Sequence, residues 1–391
     1  MRLLVGDEVA IVGAGQGRFG VRQAGLKALF VEAFRECLAS VDSGVDPKDI
    51  QEAWVGSMSF GGGQLGNLSA LMTEQVGLTH IPTRKVENAC ASSSYALRDA
   101  WMAVRSGAVD LALVAGVEKM TDLPSDRRRY WLGVSGDTEW ERLAGSTFAG
   151  LYALMASRHM YEYGTKREAL ARVAVKNHRN ASHNPKAHFQ KVITEEDVLR
   201  APVVADPLTL YDSCPVSDGA TALLVARGED ARQFTDTPVY MRAAAAASDF
   251  LALHDRGEIT RVEGTVRAGR EAFRQASVTP KDVDLAEVHD AFTIAEIMAL
   301  EDLGFAPKGE GGTWTLEGRT DLGGDVVVNA SGGLKAKGHP LGATGAGQVV
   351  EVFQQLRGEV EPNRQVPDAE LALTHNVGGS GATIAVHLFS R

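Results

Sequence analysis

The sequence predicts an α/β protein with a largely buried sheet and two related halves, and three of its features lead there. Short β-rich runs alternate with longer stretches of helical periodicity, the pattern of strands covered by helices. Residues 218–225 (DGATALLV) and 380–387 (SGATIAVH) repeat one design, a small-residue turn followed by an apolar strand. Paired endings of this kind point to duplication. Between Lys119 and Ala205 the sequence becomes charged, loop-rich and helical, which reads as an insertion over the first half.

Taken in order, residues 9–12 are an apolar strand followed by Gly15-Gln16-Gly17-Arg18-Phe19-Gly20. That glycine spacing resembles a dinucleotide-binding turn. It is displaced from the strand end, however, and the next strand, residues 53–55, is followed by Gly56-Ser57 where a ribose-binding acid should stand, so no dinucleotide is expected. Residues 26–41 and 96–104 carry helical periodicity, and residues 53–57 and 111–115 read as strands. The insertion holds Asp126-Arg127-Arg128-Arg129, a helix-like run at 152–163, and a polar stretch at 180–189. The first half ends near Gly228 and the second runs from Pro238 to Arg391. The expected domains are therefore residues 1–118 with 206–235, the insertion 119–205, and residues 236–391. Five alanines at 243–247 suit a tightly packed strand. The glycine-rich run at 342–347 lacks the Gly-Lys-Ser/Thr ending of a phosphate-binding loop and reads as a tight entry into a helix at 348–356.

Composition narrows the class. The chain has 391 residues, 44% hydrophobic and 23% charged, with room for two or three domains and no sign of long disorder. A net charge of −10 makes nucleic acid an unexpected partner. Three scattered cysteines, Cys37, Cys90 and Cys214, fit a reducing compartment better than a disulfide framework. The first residues break into acidic Asp7-Glu8 before an apolar leader can build, and no apolar run is long enough to span a bilayer. A cytoplasmic protein is expected.

Cys90 stands in Val86-Glu87-Asn88-Ala89-Cys90-Ala91-Ser92-Ser93-Ser94, a strand running into a sharp small-residue turn and then a helix. A cysteine there is either a small buried hydrophobe or a nucleophile, whose thiolate the helix N-terminus would favour by lowering its pKa. His289 follows a short strand in Glu287-Val288-His289-Asp290-Ala291-Phe292. His339 sits in the glycine-rich loop from Asn329 to Pro340, and His375 ends a strand in Thr374-His375-Asn376-Val377-Gly378-Gly379. Each histidine alone fits a satisfied core or loop role; three at strand or loop ends, beside a cysteine at a helix start, suggest a site. His178, His183 and His188 are five apart, share no helical face, and are expected at the surface or along a substrate.

On these residues the chain resembles the thiolase family, in particular its sterol-carrier-protein type with archaeal and bacterial relatives. Cys90 with Ala91-Ser92-Ser93-Ser94 resembles the nucleophile loop, and Ala115-Gly116-Val117-Glu118-Lys119-Met120 resembles the Gly-Gly-x-Glu-x-Met segment. Lys176-Asn177-His178-Arg179-Asn180 and Cys214-Pro215-Val216-Ser217-Asp218-Gly219-Ala220 are similar to linking segments of this type. His289-Asp290-Ala291-Phe292 is similar to its His-Asp-Cys-Phe motif, and Gly338-His339-Pro340 matches Gly-His-Pro. The resemblance runs through nearly the whole chain. It implies a five-layer α-β-α-β-α arrangement of duplicated halves with an inserted loop domain, coenzyme A thioesters as substrates, no permanently bound cofactor, no metal, and a homodimer or dimer of dimers. It also implies, by likeness to archaeal acetoacetyl-CoA thiolases and some bacterial acyltransferases, a small zinc-ribbon/OB-fold accessory protein as a partner.

Two departures stand out. Ordinary thiolases carry an acid/base cysteine in a Cys-x-Gly loop, where this reading puts His375, and the cysteine of His-Asp-Cys-Phe is Ala291 here. The resemblance implies Cys90 as nucleophile, His339 as its base, and His289 with His339 as donors to a thioester oxygen. The backbone N–H groups of Cys90 and of Val377 or Gly378 are expected to form a second oxyanion hole, with His375 as the candidate to take the α-proton. Claisen condensation or 3-oxoacyl-CoA thiolysis is the expected reaction. Retro-aldol cleavage of CoA thioesters, acyl transfer to another acceptor, and acyl-CoA binding without turnover are the alternatives. Arg127, Arg128, Arg129, Lys176, Lys186 and Lys191 are candidates to meet the phosphates of coenzyme A.

Overall fold

The computed structural model describes residues 8–391; the stretch from Met1 to Asp7, on which the expectation of no leader rests, lies outside them. The first half runs β1 (Val9–Gln16), α1 (Leu26–Ala39), β2 (Glu52–Gly56), α2 (Leu68–Glu74), β3 (Thr83–Val86), α3 (Ser92–Arg105) and β4 (Leu111–Glu118). Next come α4 (Ser125–Gly133), α5 (Phe148–Tyr163), α6 (Arg167–Ser182), α7 (Glu195–Leu199) and a small hairpin, β5 (Val203–Ala205) with β6 (Leu208–Thr209), before β7 (Gly219–Arg227) returns to the sheet. The second half runs β8 (Val239–Ser248), α8 (Glu263–Ala276), β9 (Leu285–Glu287), α9 (Thr293–Asp302), α10 (Gly311–Leu316), β10 (Val327–Val328), α11 (Thr344–Arg357), β11 (Leu371–Gly378) and β12 (Thr383–Ser390).

The halves repeat strand for strand. In the first the order is β1-β7-β4-β2-β3 and in the second β8-β12-β11-β9-β10. In each, the first two pairings are antiparallel and the last two parallel. The echo at 218–225 and 380–387 falls on β7 and β12, the same place in both sheets. A short β1/β8 pairing over Val9, Ala10 and Ile11 joins them edge to edge.

Burial explains the layering. Every residue of β1 and β4 is buried, so these strands read as continuous small and apolar runs rather than alternating ones. Ala96, Leu97 and Ala100 of α3, and Val349, Val352 and Phe353 of α11, pack with inner-face residues of both sheets, Leu223 and Phe389 among them, so these helices form the central layer. Leu29, Phe30 and Phe34 of α1 cover the outer face of the first sheet, and Ala268, Ala272 and Phe273 of α8 cover that of the second. These are the five layers. The helix expected at 348–356 starts earlier, at Thr344, because the small residues of its first turn press against α3; a Cβ on Gly345 would overlap the Ser94 hydroxyl. Among the described residues no helix is long and apolar enough to cross a membrane.

Two surface expectations are corrected. His178 is 2% exposed, stacks on Phe189 and bonds the Lys191 carbonyl through Nδ1 at 3.0 Å, so it belongs to the core of the insertion. Lys176 is fully buried and pairs with Glu296 at 2.6 Å, which removes it from any phosphate surface. Lys186 pairs with Glu36.

His387 on β12 tests the cost of burying an imidazole. It is fully buried, neither ring nitrogen has a partner, and burial lowers its pKa from 6.5 to about 3. Between those values the unfolded chain binds a proton that the folded chain refuses, so stability falls as pH drops below 6.5. His387→Leu is expected to stabilise the protein by about 1–3 kcal/mol at pH 7. The gap should widen by about 1.4 kcal/mol per pH unit in mild acid. Denaturant unfolding at pH 7 and pH 5 checks this, and a variant weaker at both would contradict it.

Candidate active site

Four loops converge on one spot, and each leaves the carboxyl end of a parallel strand: the Cys90 turn after β3, the His289 turn after β9, the Asn329–His339 loop after β10, and the Gly379 turn after β11. This is where open α/β sheets place their sites. Gly378 allows the approach, since a Cβ there would overlap the Asn88 carbonyl.

The turn before Cys90 is held tightly. Ala89 has φ 50°, a left-handed conformation that costs a non-glycine residue about 1–2 kcal/mol. The Glu87 carboxylate accepts from the Ala89 N–H at 2.7 Å, while the Ser92 hydroxyl donates to the Ala89 carbonyl at 2.6 Å and accepts from the Asn88 N–H at 3.0 Å. The expected acidic thiol is not what results. Burial pushes Cys90 up to about 12, reinforced by Cys214 and Glu118, against the N–H groups of Gly379 and Cys90 itself. Cys90 precedes the first turn of α3 by two residues and is only 9% exposed, so desolvation outweighs the helix end. At rest it is a thiol.

Sγ of Cys90 and a ring nitrogen of each of His289 and His339 all lie within 4.8 Å of one another. The two rings meet edge to face, 5.2 Å between centroids. Their hydrogen bonds assign them opposite tautomers. The Thr344 hydroxyl donates to the Pro340 carbonyl at 2.9 Å, so its oxygen is left to accept from His339 Nδ1–H at 2.7 Å. That leaves His339 Nε2 with a free lone pair. At His289, Nδ1 faces two donors, the Asn376 amide at 3.0 Å and the Val377 N–H at 3.3 Å, so Nδ1 accepts and the proton sits on Nε2. Burial lowers His339 to about 3 and His289 well below its ordinary value, so both rings are neutral at neutral pH. One imidazole is a base and the other a donor. The trio has the residue types of a metal site, but His289 turns an N–H rather than a lone pair away from its anchored edge, which suits proton chemistry better than ligation.

His375 does not join them. Successive β11 residues point to opposite faces, and His375 Nε2 bonds Thr265 of α8 at 3.0 Å, in a small enclosed space of about 20 Å³ behind His289. Its neighbour Asn376 takes the inner face, bonding His289 and accepting from Ser94 Oγ at 3.1 Å. Asn376-Val377-Gly378 is thus the segment in Cys-x-Gly register, one residue on from the reading above. The backbone donors differ from expectation as well: the Val377 N–H is committed to His289, and those at the Cys90 sulfur are the N–H groups of Cys90 and Gly379.

These groups line a cavity of about 750 Å³ that also includes Cys214 and the apolar Met120, Phe148, Tyr152, Phe292 and Leu341. Arg128 and Arg129 lie on its wall at the α4 side, the two expected cations that reach it. Cys214 was not foreseen as a site residue; only its presence in the segment ahead of β7 could have drawn notice. Glu118, fully buried, braces the wall by accepting from the Met58, Phe60 and Gly342 N–H groups at 2.8–3.0 Å.

Comparison with known proteins agrees with this architecture. The family described as "Thiolase, N-terminal domain" matches residues 9–229, and "Thiolase C-terminal domain-like" matches residues 245–391. The chain is 50% identical to the acetyl-CoA acetyltransferase of Methanothermobacter thermautotrophicus, over 98% of this chain and all of that one. It is 33% identical to human sterol carrier protein 2, over 96% of this chain and 71% of the relative. Among solved structures, the Ltp2–ChsH2(DUF35) aldolase superposes with a TM-score of 0.84 at 25% identity, covering 99% of both chains. With both domains matched in order along almost its full length, the chain belongs to the thiolase family.

Proposed function

We propose that the protein is an acetyl-CoA C-acetyltransferase, joining two acetyl units by Claisen condensation or, in reverse, cleaving a 3-oxoacyl-CoA with coenzyme A. The observation that carries this reading is the Cys90–His289–His339 trio with its opposed tautomers. The name and full-length similarity of the archaeal relative support it. His339 Nε2 takes the Cys90 proton as sulfur attacks the thioester carbonyl. The Cys90 and Gly379 N–H groups receive the developing oxyanion, and coenzyme A leaves with the proton returned by His339. The second thioester then presents its oxygen to His289 Nε2–H; His339, back to a lone pair on Nε2 once coenzyme A has left with the proton, is not the second donor expected there. Such a donor contributes about 3–4 kcal/mol to the transition state.

The substrate is a coenzyme A thioester and no permanently bound cofactor enters the scheme. Arg128 and Arg129 are the cations placed to meet its phosphates. A retro-aldol reaction would need no acyl-enzyme, and the built Cys90 site favours acyl transfer over it. We further propose a homodimeric assembly in the cytoplasm; the DUF35 component named with the aldolase supports a small accessory protein as partner.

Intact-protein mass spectrometry after brief exposure to acetyl-CoA tests the reading: one acetyl group and one equivalent of free coenzyme A are expected, and bound acetyl-CoA without either would overturn it. Asn376→Ala should remove the stronger of the two bonds that set the His289 tautomer and lower kcat about tenfold, near 1.4 kcal/mol, with KM little changed. Steady-state kinetics, with the imidazole ¹⁵N shifts of His289, check this.

A further inference from the structure

Condensation, on the acyltransferase reading, needs a group that removes a proton from the methyl carbon of the incoming thioester, and the cavity wall narrows the candidates. His339 serves Cys90, His289 presents an N–H, and His375 lies across β11. The guanidinium groups of Arg128 and Arg129 offer donors and no acceptor, and burial drives the Tyr152 phenol above its ordinary value. The remaining side chain on the wall with an exchangeable proton on sulfur or nitrogen is Cys214.

Cys214 is held beside the His289 loop. Its N–H donates to the Ala291 carbonyl at 2.9 Å, and Ser213 forms an isolated antiparallel bridge with Phe292. Cys214 therefore stands next to residue 291, partly exposed, and lines this cavity. Behind it is Lys335, 1% exposed. The titratable groups that feel its ammonium are Cys214, Asp290, Asp212 and His178. Asp290 is already occupied by the Leu334 and Lys335 N–H groups and by Asn177, and Asp212 by Arg167 and Thr293. Cys214 is what is left for Lys335 to act on.

We propose that Cys214, poised by Lys335, is the catalytic acid/base of the carbon–carbon bond-forming step. With Lys335 as the neutral amine, the Cys214 thiol passes its proton to the Lys335 nitrogen as its sulfur takes a methyl proton from acetyl-CoA. The C–H electron pair moves into the enolate, whose oxygen rests on the His289 Nε2–H. The enolate carbon bonds to the acetyl carbonyl carbon on Cys90, the Cys90 C–S bond breaks, and sulfur leaves as thiolate. In thiolysis Cys214 returns its proton to the departing carbon. Burial holds the thiol near 12 and lowers Lys335 to about 8, so the ammonium gives up its proton first, around pH 8, and leaves an amine able to receive the thiol proton.

The test uses the full-length enzyme and two readouts, acetylation of Cys90 by acetyl-CoA and exchange of the acetyl-CoA methyl protons with deuterium oxide. Cys214→Ala is expected to go on acetylating Cys90, which also reports an intact fold, while methyl exchange and condensation fall at least about 100-fold. Lys335→Met should displace the pH dependence of condensation away from pH 8 and leave acetylation alone. Condensation by Cys214→Ala within threefold of wild type, or an equal loss of both readouts, overturns the proposal. Failure of the acyltransferase reading looks different, since wild type itself would then take no acetyl group.

Discussion

Cys90→Ala is expected to take up no acetyl group from acetyl-CoA and to lose about 10⁴–10⁶ of the condensation rate, the range seen when a nucleophile is deleted from a cooperating site. The loss should be that large because nothing else on the wall can replace the sulfur. His289 and His339 are turned toward Cys90 by bonds on their far edges, and the Cys90 and Gly379 N–H groups converge on its Sγ. Cys214 lies beside residue 291 and faces its own backbone N–H, whereas the Cys90 and Gly379 N–H groups are aimed at the Cys90 sulfur. Removing one sulfur from a site already braced by Glu118 should leave the fold intact, so the loss is chemical. Intact mass and free-thiol release on wild type and variant decide the matter; an acetyl group on Cys90→Ala would mean that the acyl-enzyme lies elsewhere.

His339→Asn should slow acylation of Cys90 by about 10²–10⁴-fold. The reason is the buried thiol. With its pKa pushed up to about 12, only about one Cys90 in 10⁵ is ionised at pH 7, so the enzyme depends on a base that moves the proton as sulfur attacks. His339 is suited to this because burial keeps it neutral down to about pH 3 and Thr344 keeps the lone pair on Nε2. Thiolate and imidazolium form together, each offsetting the burial cost of the other. Without His339, acylation should climb about tenfold per pH unit through the alkaline range, tracking the thiolate, while wild type stays flatter. Stopped-flow release of coenzyme A between pH 6 and 10 reads this slope. A purely structural role for His339 would lower the rate without tilting the profile.

Much of the architecture could be read before any coordinates, because duplication and buried strands leave local marks. The apolar runs that became β1 and β4 need no partner to be recognised, and the echo that became β7 and β12 is a one-dimensional signal. Cys90, His289 and His339 were legible for a similar reason, each lying in a short motif at a strand or helix end. His375 shows where that kind of reading slips. It sits one residue from Asn376, and on a strand one residue exchanges the inner face for the outer, so a loop motif taken one position off assigns the wrong side chain to the site.

The α/β class, the two halves, the thiolase likeness and three of the side chains in the cavity were legible in the chain, since these rest on local periodicity and on contiguous motifs. Protonation states, and the company those side chains keep, come from the folded arrangement. That Cys90 is a thiol follows from desolvation by layers far apart in sequence. That His339 keeps a free lone pair on Nε2 while His289 keeps its proton there follows from Thr344 on one side and from Asn376 and Val377 on the other. That Cys214 stands beside Ala291 follows from a backbone contact between segments belonging to different halves. Charge, tautomer and proximity depend on what surrounds a group in space, and chain order does not encode that surrounding directly.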